Sequence, residues 1–185
     1  MDSTFVLETE RLSLHRLDDT SDADRAFVYR LLNDEAFLRF IGDRGVHEPE
    51  QAGPYLRNGP MASYAANGFG LYRVDRKRDG VPVGMCGLVK RDALPGPDLG
   101  YALLPEHRNL GYVAEAGAAV LADAHARLGL DTVLAVVDTS NAASIRTLRA
   151  LGYRWREDFR LPGEDTLLHL FAWTSESSEP DHETP

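Results

Sequence analysis

The sequence predicts a single α+β (mixed α/β) domain, and three observations carry that reading. Runs with strand character alternate with runs of helical period along most of the 185 residues. Thr132-Val-Leu-Ala-Val-Val137 is apolar and largely β-branched, the pattern of a central strand covered on both faces. No internal repeat and no linker divides the body.

Glu10-Arg-Leu-Ser-Leu-His-Arg-Leu17 alternates apolar and polar residues and reads as a half-buried strand, with Leu12 and Leu14 on one face. Ser21 or Asp22 is placed to cap a helix in which Phe27, Leu31 and Leu32 share a face, ending near Asn33. Pro49 opens a second helical region through Leu56. Gly59-Pro60 is expected to break it before a further helical piece stops at Asn67-Gly68. Phe69–Val74 and Val81–Val89 read as strands joined by a hairpin turn over Asp75–Gly80. Leu94-Pro-Gly-Pro97 marks a turn before a strand at Asp98–Leu104. From Val113, Ala116, Val120, Leu121, Ala124 and Leu128 keep the helical period up to Gly129, a natural stop. Asn141 caps a short helix ending near Leu151-Gly152, and Tyr153–Trp155 and Leu167–Trp173 close the fold as strands.

Composition narrows the function. Apolar residues make up 43% and charged residues 26%, which fits a packed domain. No apolar run reaches bilayer length, and the N-terminus lacks the basic start and apolar core of a signal peptide, so no membrane partner is expected. A lone cysteine, Cys86, excludes an internal disulfide and fits a reducing cytoplasm. In Gly84-Met-Cys-Gly87 it reads as a buried small apolar residue. The net charge is −9, and Glu176, Glu179, Asp181 and Glu183 contribute to it from a tail, 175–185, expected to be disordered. The rest stays acidic, which disfavours nucleic acid. The six histidines show no metal-ligand spacing, so no metal is expected. Arg76-Lys77-Arg78, flanked by Asp75 and Asp79, is a solvated hairpin tip, and His107 is expected at the surface.

The chemistry concentrates in Pro105-Glu-His-Arg-Asn-Leu-Gly-Tyr-Val-Ala-Glu-Ala116, where a strand and a turn run into a helix rich in small residues. The first N–H groups of a helix lack partners inside it and sit at the positive end of its dipole, so they attract anions. Gly111 lets a phosphate approach the backbone, and Arg108 can add a planar charged donor.

Arg108, Gly111, Tyr112, Glu115 and Ala116 follow Gly100-Tyr-Ala-Leu103. They precede Asn141, Ser144, Ile145, Leu148 and Leu151-Gly-Tyr153. With Glu8-Thr-Glu-Arg-Leu-Ser-Leu14 and Asn33-Asp34, this series resembles the GCN5-related N-acetyltransferases (GNAT), in particular their RimJ/RimL-like branch. The resemblance implies a GNAT domain over residues 7–174, with a mostly antiparallel sheet of about six or seven strands flanked by helices. It implies acetyl-CoA as the acyl donor, coenzyme A as product and a primary amine as acceptor, either a protein N-terminus or a small molecule. Backbone groups of Leu103 and Leu104 would pair with the pantetheine arm. The N–H groups of Arg108, Asn109, Leu110, Gly111, Tyr112 and Val113 would hold the pyrophosphate, with Asn141 and Ser144 beside the arm. The sequence departs from the family at Val113, where Gly or Ala is usual, and at Asn109 and Leu110, which replace a glycine and a basic residue.

The reaction needs an unprotonated amine and a donor for the developing oxyanion, for which the N–H near Leu103 is the candidate. An α-amine has a pKa near 8 and lysine near 10.4, so a weak base favours α-amines by roughly 3 kcal/mol. A tyrosine acid used by several family members falls at Leu148 here, so Asp98, Tyr101 and Ser144 stand as alternative proton-transfer groups. Acceptor recognition falls to Arg39–Tyr64 and Phe159–Thr166. A non-catalytic acyl-CoA-binding module on the same fold is the rival reading, and monomer and homodimer stay open.

Overall fold

Eight strands, among the residues 4–175 that the computed structural model describes, join edge to edge into one sheet. They are β1 (Phe5–Glu8), β2 (Leu12–His15), β3 (Leu71–Arg76), β4 (Val81–Val89), β5 (Asp98–Leu103), β6 (Thr132–Asp138), β7 (Arg154–Phe159) and β8 (Leu168–Thr174). The order is β1-β2-β3-β4-β5-β6-β8-β7. Every neighbouring pair is antiparallel except β5 and β6, which the helix between them makes parallel. This is the mixed, mostly antiparallel sheet expected from the sequence. It gains one strand, β1, whose four residues are too few to carry an alternation, and whose pairing with β2 slips between Phe5 and Leu7.

The helices are α1 (Asp22–Leu32), α2 (Glu35–Phe40), α3 (Ala52–Leu56), α4 (Ala62–Asn67), α5 (Tyr112–Leu128) and α6 (Ala142–Ala150). Ser21 caps α1, accepting from the Asp24 N–H at 3.2 Å, and Asn33 ends it as expected. The short α2 is absent from the sequence reading. Its cap is Asp34, which accepts from the Phe37 N–H at 3.1 Å. Gly59-Pro60 does not break the chain. A π-helical stretch, Arg57–Met61, carries it from α3 into α4, the wider turn absorbing the proline's missing N–H. Gly68 then stops α4 in the left-handed conformation.

Three buried clusters hold the layers together, the smallest formed by Leu94, Leu134, Leu170 and Ala172. On one sheet face, α5 and α6 bury Val120, Leu121 and Leu148 against Cys86, Leu99 and Phe171. On the other, α1 and α3 bury Val28, Leu31 and Leu56 against Met85 and Leu104. Fully burying a side chain such as Phe171 contributes about 2–3 kcal/mol. The small residues of α5 matter here, because a Cβ on Gly117 would stand 2.9 Å from the Leu151 side chain. The acidic tail, apart from Ser175, lies outside the described residues.

One irregularity in this sheet creates the site. β5 and β6 share a single registered pair, Asp98 with Leu134, beside a hydrogen bond from the Leu134 N–H to the Pro97 carbonyl at 2.9 Å. Beyond it the strands part company, and a gap opens towards Leu103. β6 stays paired on its far side, with seven consecutive partners on β8.

Candidate active site

Asp98 stands at the closed end of the gap. It is buried, and the Arg91 Nε donates to both of its oxygens at 3.0 and 3.1 Å. Burial raises its pKa, and the Arg91 charge and hydrogen bond only partly oppose that. Five residues along an extended strand separate it from Leu103, about 16 Å. Asp98 thus forms a buried ion pair that pins the end where the strands meet.

Tyr101 and Ser144 do come together. The Tyr101 hydroxyl lies 2.6 Å from Ser144 Oγ, bridging from β5 to the first turn of α6. Burial pushes the Tyr101 pKa up to about 12, against the opposing effect of the Ser144 hydrogen bond. At neutral pH the phenol therefore keeps its proton, and Ser144 fixes where its hydroxyl sits. Asn141 caps α6 as the sequence indicates, its Oδ1 accepting from the Ser144 N–H at 3.1 Å. Such a cap contributes about 1 kcal/mol.

Leu103 and Leu104 differ sharply. The Leu104 N–H donates to the Val83 carbonyl at 2.9 Å, and its own carbonyl accepts from the His107 N–H at 3.0 Å. Both backbone groups of Leu104 are already engaged, and its side chain is buried in the second core. Strand alternation turns Leu103 the other way, aiming its N–H and C=O out of β4 and into the gap. Gly84, opposite Leu103, has no room for a side chain. A Cβ there would lie 2.2 Å from the Ala102 carbonyl and 2.9 Å from Leu103 Cα, so the β5 backbone passes directly over this glycine. Sequence reading gave Gly84 no role. The glycine pair Gly84 and Gly87 inside a strand was the available signal.

The turn after β5 is bent by two left-handed residues, Asn109 at φ 60° and Gly111 at φ 77°. Asparagine tolerates this conformation better than other side chains, which suits it to this place in the turn. Gly111 is the N-cap of α5 and provides no side chain to satisfy the helix's first N–H groups. Those groups, including the N–H of Val113, stand at the positive end of a 17-residue helix beside a turn of alternating hand, a backbone nest for an anion. Tyr112 contributes only its backbone, since its ring is buried in the main core. Leu110 leaves its side chain exposed.

The arginines around the turn are all paired. Arg11 donates from Nε to Glu115 at 2.6 Å and from Nη1 to the Leu110 carbonyl at 3.0 Å, with its guanidinium 4.9 Å above the Tyr112 ring. Thr9 Oγ1 and the Arg11 N–H also donate to Glu115, at 2.5 and 2.8 Å. Burial works against ionisation of Glu115, but these hydrogen bonds outweigh it and hold the carboxyl below its ordinary value. Arg30 meets Glu106 at 2.7 Å. Arg108, read from the sequence as a phosphate donor, turns inward. Its guanidinium donates to the Leu103 carbonyl at 3.0 and 3.2 Å and pairs with Asp34. His107, expected at the surface, is buried, because the tight turn Pro105–His107 folds it under the chain. Positive potential for an anion here comes mainly from the backbone.

The segment expected to recognise the acceptor contains an open cleft of about 420 Å³ lined by Arg44, Val46, Pro54, Tyr55 and Asn58, among others. Phe159–Thr166 leads into an exposed loop in which Arg160 Nε donates to the Asp165 carbonyl at 3.1 Å. Among the described residues no cluster of His, Cys, Asp and Glu could hold a metal ion, and no helix is long and apolar enough to cross a membrane.

A parallel strand pair that opens towards an uncapped helix N-terminus can seat an anionic cofactor, and comparison with known proteins gives the arrangement its class, the acetyltransferases. The family pattern described as the Acetyltransferase (GNAT) domain matches residues 11–154, and the chain belongs to that family. It is 27% identical over 151 residues to YoaA, an uncharacterized N-acetyltransferase of Bacillus subtilis, covering 80% of this chain and 82% of that protein. A GNAT-family acetyltransferase from Bacillus anthracis superposes with a TM-score of 0.75 at 20% identity, covering 93% of this chain and 99% of the other. A ribosomal-protein alanine acetyltransferase from Vibrio fischeri superposes at 0.74 with 16% identity, covering 94% and 98%. At those identities the two structures speak for the fold alone.

Proposed function

We propose that the chain transfers the acetyl group of acetyl-CoA to a primary amine, with a protein α-amine favoured over lysine. The observation that carries this reading is the gap between β5 and β6, which leads from the Tyr101–Ser144 pair to the uncapped start of α5. The pyrophosphate would rest on the N–H groups of residues 109–113, in a field supplied by the helix dipole. The pantetheine arm would enter the gap beside Asn141 and bring the thioester to the Leu103 N–H, since the Leu103 carbonyl accepts from Arg108 and both backbone groups of Leu104 are taken.

In the reaction the amine nitrogen attacks the thioester carbonyl carbon and sheds a proton, the C–S bond breaks, and the thiolate leaves. The Leu103 N–H would stabilise the transient oxyanion. Tyr101, held by Ser144, would give its proton to the thiolate as it takes up the one the nitrogen sheds. No side chain near the gap is assigned as base, so the amine must arrive neutral or lose its proton to water. That favours α-amines, which need roughly 3 kcal/mol less to deprotonate than lysine.

Calorimetric titration with acetyl-CoA, followed by thiol release over a panel of N-terminal peptides, polyamines and lysine peptides, tests the reading. Binding with turnover on α-amines is expected. Binding without turnover on any amine would favour the acyl-CoA-binding module. No binding would end both readings.

A further inference from the structure

We propose that Arg108 is a positioning residue that holds the Leu103 peptide and the start of α2 in register, and not a phosphate ligand. The inference rests on the acetyl-CoA reading above for its functional consequence, though not for its geometry. Leu103 pairs with Gly84 on β4 but has no registered partner on its β6 side, so its carbonyl needs another donor in a partly buried place. Arg108 supplies it twice, from Nε at 3.2 Å and from Nη2 at 3.0 Å. The same Nη2 reaches Asp34, which is nearly buried and at the same time caps α2 through the Phe37 N–H at 3.1 Å.

One guanidinium therefore ties the mouth of the gap on β5 to the N-terminus of a helix packed on the opposite face from α5. The Tyr101–Ser144 contact bridges the gap on the α5 and α6 side. Arg108 and Asp34 close the frame on the α1 and α2 side. Fixing the Leu103 carbonyl fixes the peptide plane it shares with the Leu104 N–H, and with it the course of β5 at the mouth of the gap. A phosphate ligand would instead be a cation free to face the nest at 109–113. Arg108 is spent elsewhere, and its carboxylate partner lies on an element far from the nest in sequence.

The two roles predict opposite behaviour of Asp34. If Arg108 were a phosphate ligand held back by Asp34, Asp34→Asn would free it and tighten coenzyme A binding, while Arg108→Gln would weaken it. A positioning role predicts the same sign for both. Arg108→Gln and Asp34→Asn should each lower kcat roughly tenfold to a hundredfold, as a misplaced reacting geometry does. The double variant should be no worse than the poorer single one. Coenzyme A affinity should stay within about threefold throughout, since the N–H groups are untouched. Arg108→Lys should fail to rescue kcat, because one ammonium cannot fork between a carbonyl and a carboxylate.

Melting of the unliganded variants gives a readout independent of ligand. Each single variant should lose about 3–6 °C and the double variant little more. Additive melting losses would overturn the strut. Weakened coenzyme A binding in Arg108→Gln, restored in Arg108→Lys, would overturn the positioning role. If wild type binds no coenzyme A at all, the acetyl-CoA reading fails, and the melting cycle alone decides the strut.

Discussion

Replacing Gly84 by alanine should damage catalysis far more than its chemistry suggests. The added Cβ would meet the Ala102 carbonyl at 2.2 Å, Leu103 Cδ2 at 2.6 Å and Leu103 Cα at 2.9 Å. Ordinary contact begins near 3.4 Å, so β5 must retreat by about 1 Å, and most of what must move is backbone. Overpacking of this kind costs about 1–3 kcal/mol, or roughly 3–10 °C in Tm for a domain of this size. The Leu103 peptide moves with the strand, and a 1 Å misplacement of reacting groups costs about a hundredfold in rate. Gly87→Ala is the control. Its Cβ would lie 2.0 Å from the Gly70 carbonyl, a backbone clash on the β3 side of β4, away from Leu103. The two variants should melt alike, but only Gly84→Ala should lose thiol release from acetyl-CoA. Equal loss of rate in both, or full rate in Gly84→Ala, would refute the placement of the acyl site at Leu103.

Three further predictions follow from the same geometry. Tyr101→Phe should lower kcat about a hundredfold if the phenol protonates the thiolate. Because the wild-type group ionises only near pH 12, the rate should show no decline from this residue between pH 8 and 10. Glu115 has a depressed pKa, so its stabilisation is present above its ordinary value of 4.5 and is lost as pH falls through the lower folded value. The Tm advantage of wild type over Glu115→Gln should therefore shrink on acidification below pH 4.5, and a constant difference down to pH 3 would count against the clamp. Gly111→Ala forces a side chain into φ 77° and should cost about 1–2 kcal/mol, read as a drop of a few degrees in Tm. Unchanged melting would mean that the turn relaxes freely.

Local patterns made much of this fold legible. The period from Val113 to Leu128 and the glycine after it mark α5, and Asn141 announces the cap it forms. The apolar β-branched run at Thr132–Val137 gives a strand central to the sheet. What escaped notice depends on partners remote in sequence. Asp34 looks like the tail of one helix but begins another, and its pairing with Arg108 spans 74 positions. Asp98 carries no local sign that Arg91 will meet it in a buried site, so it reads as an available carboxylate. Arg108 looks like a free cation until its neighbour β6 is seen to leave the Leu103 carbonyl in need of a donor. Charges are easy to count along a chain, and their pairing is decided only by the fold.

The hand of the turn at Asn109 and Gly111 has a consequence for how this chain varies. A binding surface drawn by main-chain direction is largely indifferent to what the side chains are, provided each residue tolerates its dihedral angles. Asn109 needs only to accept a positive φ, Leu110 offers its side chain to solvent, and Val113 needs only to continue a helix. Substitutions there can accumulate without redrawing the surface. Selection on the turn would then act through backbone shape, leaving its lettering free to drift, while the architecture stays recognisable in a structure of 20% identity.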